Sequence, residues 1–277
     1  MKRLLTAASC AVCLLWAEAA VTDANATAVN VAQAEAKTRH TLRTVTLTRG
    51  NVKIIEATEQ IRFLSQEMAK MYLFMFKAPR KDVVRTSLKK MLLRLNDNLQ
   101  VIKTTTKDAD TKDILEFLAY SKDQIAQIIA EDLSEENAAL MLDYSETLLE
   151  GADSIAAAHA YAFTKEERML IVNKKMEYLL ERMMKYYFAI HLGFDNTTNR
   201  EQLKAAVLKF DNDLNVLRAY EYPEEMRPVT KELERSWKNN RRFFETEDRF
   251  IPKLMLYSTA YAESLIGQVT LYHNKNL

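Results

Sequence analysis

The chain has 277 residues, 48% of them hydrophobic, and is long enough to bury one or two cores. Its 39 basic and 38 acidic side chains leave a formal net charge of +1, which excludes the electrostatic footprint of a nucleic-acid-binding protein. Only 4 Gly and 4 Pro disfavour a turn-rich β architecture, and they predict an all-α fold built from long, seldom interrupted helices.

The N-terminus, MKRLLTAASCAVCLLWAEAA, has a basic start at Lys2 and Arg3, an apolar run from Leu4 to Trp16, and small residues at Ala17 and Ala19. This is the pattern of a cleaved secretory signal peptide over residues 1–19, too short to span a membrane. Cleavage is expected after Ala19, with Ala26 the second choice. Cys10 and Cys13 both lie inside the segment, so the mature chain has no disulfide, thiolate metal ligand or Cys nucleophile. No later apolar stretch approaches the roughly 20 residues of a membrane span. A periplasmic protein with no membrane span in the mature chain is the expectation. Residues 20–40 are small and polar and read as a flexible leader, with the folded part starting at Thr41.

In the first predicted helix, Ile54, Ile61, Met68 and Met75 repeat every seven residues, and Ala57, Leu64 and Met71 follow three places later. That heptad pattern belongs to a helix in a bundle, and Pro79 is expected to stop it. The second helix carries Leu88, Leu92, Leu95, Leu99 and Ile102 at alternating spacings of four and three. A third is predicted from about Thr111 to Ile129. A fourth runs from about Ser134 to Ala160, with Ser134 as its cap and two acidic residues complementing the helix dipole.

The second half repeats the first. LKKMLLRLNDNLQVI (88–102) aligns without a gap on LKAAVLKFDNDLNVL (203–217), an offset of 115 that also pairs Lys70 with Lys185 and Tyr72 with Tyr187. At an offset of 117, YSETLL (144–149) falls on YAESLI (261–266). Between the copies, Thr164 with Glu167 three residues on forms a capping box that opens a fifth helix. The expected architecture is two tandem up-and-down four-helix bundles, residues 41–162 and 163–277, with a continuous eight-helix array as the alternative.

The stretch IRFLSQEMAKMYL (61–73) resembles the helix-one signature of the PilJ-like family, the N-terminal sensor domain of type IV pilus methyl-accepting chemotaxis transducers. Arg62, Leu64, Ser65, Gln66, Met68, Ala69, Lys70, Tyr72 and Leu73 carry the match, while Phe63 and Glu67 depart from it. The resemblance implies a periplasmic four-helix bundle related to nitrate and nitrite sensor domains, in which a helix-one arginine meets its symmetry mate and binds the anion at a dimer interface. It thereby implies Arg62, with Ser65 and Gln66 on the same stripe, as the ligand-binding residues, a homodimer through helix one, and a membrane transducer or sensor kinase as partner. The second copy has Glu177 where the first has Arg62, so an anion site is expected in copy one only.

Helical geometry places Arg62 about 100° from the main seam, on a flank shared with Ile55, Ala69 and Leu73. Such a stripe predicts a second packing surface, either a dimer contact or a neighbouring bundle. The plainer role for Arg62 is local pairing with Glu59. Lys174, Lys175 and Arg182 read as a solvated face, and the matched tyrosines Tyr72/Tyr187 and Tyr144/Tyr261 as buried packing anchors. None of His40, His159, His191 and His273 has a Glu three residues before it, and there is neither a haem-attachment motif nor a glycine-rich phosphate loop. The expectation is a non-enzymatic ligand-sensing or adaptor protein with no cofactor and no metal site. Its alternative is a scaffold that binds other proteins without a small ligand.

Overall fold

The computed structural model describes residues 48–246 and 250–277. The predicted signal peptide, the leader and the bundle start at Thr41 lie outside the described residues. The described chain is all-α: α1 (Arg49–Phe74), α2 (Lys81–Thr105), α3 (Ala109–Ala130), α4 (Glu135–Ala158), α5 (Lys165–His191), α6 (Thr197–Ala219), a turn of 3-10 helix (Glu224–Met226), α7 (Arg227–Thr246) and α8 (Pro252–Lys275). Among the described residues there is no strand, and no helix is long and apolar enough to cross a membrane.

Side-chain caps set most of the helix starts. Thr48, Asp108, Ser134, Thr164 and Asn196 each accept a hydrogen bond from the backbone N–H three residues on, satisfying a donor that the helix itself leaves unpaired. At Thr164 the box closes both ways: Glu167 N donates to its hydroxyl at 3.2 Å, and Thr164 N donates to the Glu167 carboxylate at 2.7 Å. Pro252 occupies the first turn of α8, where its missing N–H costs nothing. α1 ends at Phe74, five residues before Pro79, with Met75 to Lys77 forming a turn that leads to the proline. Its counterpart α5 ends in a turn through Gly193 at φ +102°, a conformation that L side chains rarely adopt.

Each half closes into a ring. α1 packs on α2 and α4 while α3 joins α2 to α4; α5 packs on α6 and α8 while α7 joins those two. The heptad residues fill the centres: Ile54, Ile61, Leu64 and Met68 of α1, Leu88, Leu95 and Ile102 of α2, and Leu203, Phe210, Leu214 and Leu217 of α6 are all buried. The rings also share a wall, because α1 packs along α5 and one apolar cluster runs through both halves.

Pairings along that wall fix its geometry. Arg62 interacts with Tyr178, Lys70 with Glu181, and Phe74 stacks on Phe188 with ring centroids 6.0 Å apart. These partners are separated by close to the repeat offset of 115, so α1 and α5 run parallel and in register to within about one helical turn. The flank predicted as a second packing surface is buried, with Ile55, Ala69 and Leu73 all inside. Its neighbour is the chain's own second bundle.

Candidate functional site

The stripe of helix one comes first. Arg62 Nε donates to Asp153 Oδ1 of α4 at 2.5 Å, and its Nη1 is held by Glu59 one turn back. The guanidinium is thus committed to two carboxylates, and the local pairing with Glu59 is present. Burial pushes the Glu59 carboxyl up, against the pull of Arg62. Ser65 Oγ donates to the Arg62 carbonyl at 2.8 Å. Gln66 Nε2 donates to Ser65 Oγ at 3.0 Å and to the Ser145 carbonyl of α4 at 3.2 Å. Ser65 and Gln66 are fully buried against α4, so the structure joins these two to each other and places the charged end of Arg62 at the margin of the wall.

The second copy repeats this pair with reversed signs. Glu177, at the position of Arg62, accepts from Lys174 at 2.8 Å, and Lys174 stands at the position of Glu59. Across the wall Lys174 attracts Glu59.

Deeper in the wall lie the two matched lysines. Lys70 is buried and meets both oxygens of Glu181, at 2.6 and 2.5 Å. Burial would lower its pKa, but the charges of Glu181 and Glu263 reverse that and hold it above the ordinary lysine value. Glu67 and Glu263 complete a group of three acidic side chains around Lys70, with Arg94 also acting on Glu67. Glu263 is pushed up to about 10, first by burial, then by the charge of Glu181 and a hydrogen bond to it, so Glu263 is the member that keeps a proton at neutral pH. Burial and Glu181 also raise Glu67, to about 6.

Lys185 is fully buried and bonds to the Glu146 carboxylate and to Ser145 Oγ at 3.0 Å, while Arg182 Nη2 reaches the other oxygen of Glu146 at 2.6 Å. Burial lowers Lys185 to about 8. Glu146 and Glu263 are repeat counterparts, so the helix-one lysine of each copy faces the fourth-helix carboxylate of the other. The two ends of this arrangement differ in charge. At one, Lys70 lies among Glu67, Glu181 and Glu263, with Arg94 also acting on Glu67; at the other, Lys185 and Arg182 meet Glu146, with Asp143 also acting on Lys185.

Several sequence expectations change here. Arg182 is no solvated residue: it is 8% exposed and ion-paired, because residues 178–190 of α5 are buried on every side between two rings. Tyr187 anchors packing as expected, its hydroxyl accepting from Ile251 N at 2.9 Å just before α8, and Tyr72 lies beside Ser134 at the matching turn. Tyr261, by contrast, is about half exposed and its hydroxyl donates to Glu232, and Tyr144 is half-buried against Tyr120, because among the described residues no further helix lies over the outer faces of α8 and α4.

The missed residues are Glu181, Glu263 and Glu146. Their signal was the identity of Lys70 with Lys185 and of Glu146 with Glu263 across copies that otherwise keep mainly apolar positions. At the far end of the second ring His273 bonds to Glu166 at 2.5 Å and to the Tyr222 hydroxyl at 2.8 Å, tying α8 to the start of α5. Among the described residues, no group of three His, Cys, Asp or Glu is placed to hold a metal ion. Compared with protein-family models, with curated proteins and with solved structures, the chain matches none.

Proposed function

We propose that this protein is a non-enzymatic, exported adaptor or sensing module in which two PilJ-like bundles pair within one chain and act through a membrane transducer or sensor kinase. The observation behind this reading is the parallel, in-register wall of α1 and α5. It gives one chain the helix-one contact that the resemblance implies between two chains. The reading extends to a small anion such as nitrate or nitrite at Arg62, with Ser65 and Gln66 behind it, because a guanidinium fork offers two donors to a planar oxyanion. The anion would have to displace Glu59 or Asp153 from the guanidinium. That competition favours the adaptor role over the anion-sensing one.

Titration calorimetry of the mature protein with nitrate and nitrite separates the two. Heat in the native protein that disappears in an Arg62→Ala variant supports sensing. Absence of heat in the native protein, or equal heat in both, removes the anion and leaves the adaptor, whose partner can be sought by cross-linking in membranes of the producing cell.

A further inference from the structure

A groove of about 560 Å³ opens where the two halves meet at the Pro79 end, between the turn after α1, the start of α2 and the first turns of α8. Its volume lies in the range of small-molecule sites. Phe74, Pro79 and Val83 line the side that belongs to the first ring, and Leu256, Tyr257 and Ala260 the side that belongs to the second. These apolar walls reach the solvent, with Val83 44% and Tyr257 78% exposed.

The ionisable ends on the lining are both cationic. Arg80 comes from the first ring and Lys253 from the second, and no carboxylate lines the groove. Arg80 faces one acid, Asp82, at 4.0 Å; that is a long pairing between side chains about three-quarters exposed, and it leaves the guanidinium open to another anion. Lys253 is exposed and forms no ion pair among the described residues. Glu247, Asp248 and Arg249, which precede α8, lie outside the described residues. Lys77 and Lys81 are exposed and flank Arg80 along the chain, so the surroundings stay positive. Helix α8 starts here with neither a side-chain cap nor an acid in its first turn, and its positive end adds to that potential. An apolar trough with a cation from each side and no acid in its lining complements a ligand of the opposite pattern, an apolar body with one anionic end.

We propose that this groove binds a small anionic amphiphile of the alkyl carboxylate class, with its carboxylate at Arg80 and Lys253 and its chain against Phe74, Val83, Leu256 and Tyr257. The site shares no residue with the anion reading at Arg62. The cations supply orientation and the apolar walls supply contact area.

The test is titration calorimetry of the mature protein with butanoate, hexanoate and octanoate, and with octyl alcohol and octylammonium as controls of the same chain length. Saturable octanoate binding is expected, with affinity rising about two- to fourfold for each added CH₂. Both controls should bind about tenfold more weakly or not at all. The double substitution Arg80→Gln with Lys253→Gln, at two exposed positions, should weaken octanoate about tenfold. Ala260→Trp sets a ring into the groove from an exposed helix position and should abolish binding with the helical circular dichroism signal intact. Equal binding of the alcohol or the ammonium compound, affinity independent of chain length, or octanoate binding unchanged in either folded variant overturns the proposal. So does a failure to bind octanoate, including the case in which the protein instead sediments with phosphatidylglycerol vesicles and the patch is a membrane contact.

Discussion

Replacing Glu263 with Gln tests the buried charge arrangement most directly. In the folded chain the Glu263 carboxyl is raised from the usual 4.5 to about 10, so it holds a proton that the unfolded chain releases above about pH 4.5. A carboxyl raised on folding contributes stability that is complete below the unfolded value and is lost as pH rises toward the folded value. The slope is set by one proton and is about 1.4 kcal/mol per pH unit, or about 2.7 kcal/mol between pH 6 and 8. For a folded unit of this size, that corresponds to a fall of about 5–10 °C in Tm. Gln mimics the protonated acid, can still donate to Glu181, and does not titrate. Wild-type and Glu263→Gln proteins are to be unfolded in urea at pH 6, 7 and 8. The stability difference should widen in favour of the variant by about 1.4 kcal/mol for each pH unit. Parallel profiles, or a variant less stable than wild type at pH 8, would refute the placement of a proton-holding carboxyl in this wall.

Two further substitutions probe other parts of the molecule. Lys70→Met removes the buried cation paired with Glu181 and should cost about 3–5 kcal/mol at pH 8, with a smaller loss at pH 5 where carboxyls take up protons; urea denaturation at the two pH values reads both numbers. At Gly193 a Cβ would meet nothing within 4 Å, so Gly193→Ala isolates the strain of its positive φ and should lower stability by about 1–2 kcal/mol in the same assay.

The rings were legible because each helix turns one regular stripe toward its own centre. Ile54, Ile61, Met68 and the leucines of α2 repeat at the spacing that a ring core requires, and the matching run 203–217 gave the second ring. The wall was legible only from one side. In α1 the flank around Ile55, Ala69 and Leu73 is apolar enough to stand out beside the main seam. In α5 the buried stretch from Tyr178 to Ile190 has no exposed face, so periodicity has nothing to contrast and does not mark Glu181, Arg182 and Lys185 as buried; Arg182 reads as part of a solvated face. Their burial depends on partners some 40 to 110 residues away, at Glu146 and Lys70.

Charge reversal at matched positions also explains why the two copies suit each other better than either suits itself. Glu59 and Arg62 in α1 correspond to Lys174 and Glu177 in α5, and Gln66 and Glu67 correspond to Glu181 and Arg182. Of these pairs, Glu59 and Lys174 attract each other across the parallel wall. Two identical copies of α1 would set Glu59 against Glu59 and leave Lys70 facing Gln66. Two copies of α5 would set Lys174 against Lys174 and Arg182 against Arg182. Pairing α1 with α5 instead lets Lys174 attract Glu59 and gives Lys70 its partner in Glu181. Like charges brought together in a partly desolvated interface are costly, and this penalty discriminates between pairings more than it strengthens the favoured one. Divergence between the repeats therefore directs helix one of the first bundle to its counterpart in the same chain, and it works against a homodimer formed through that surface.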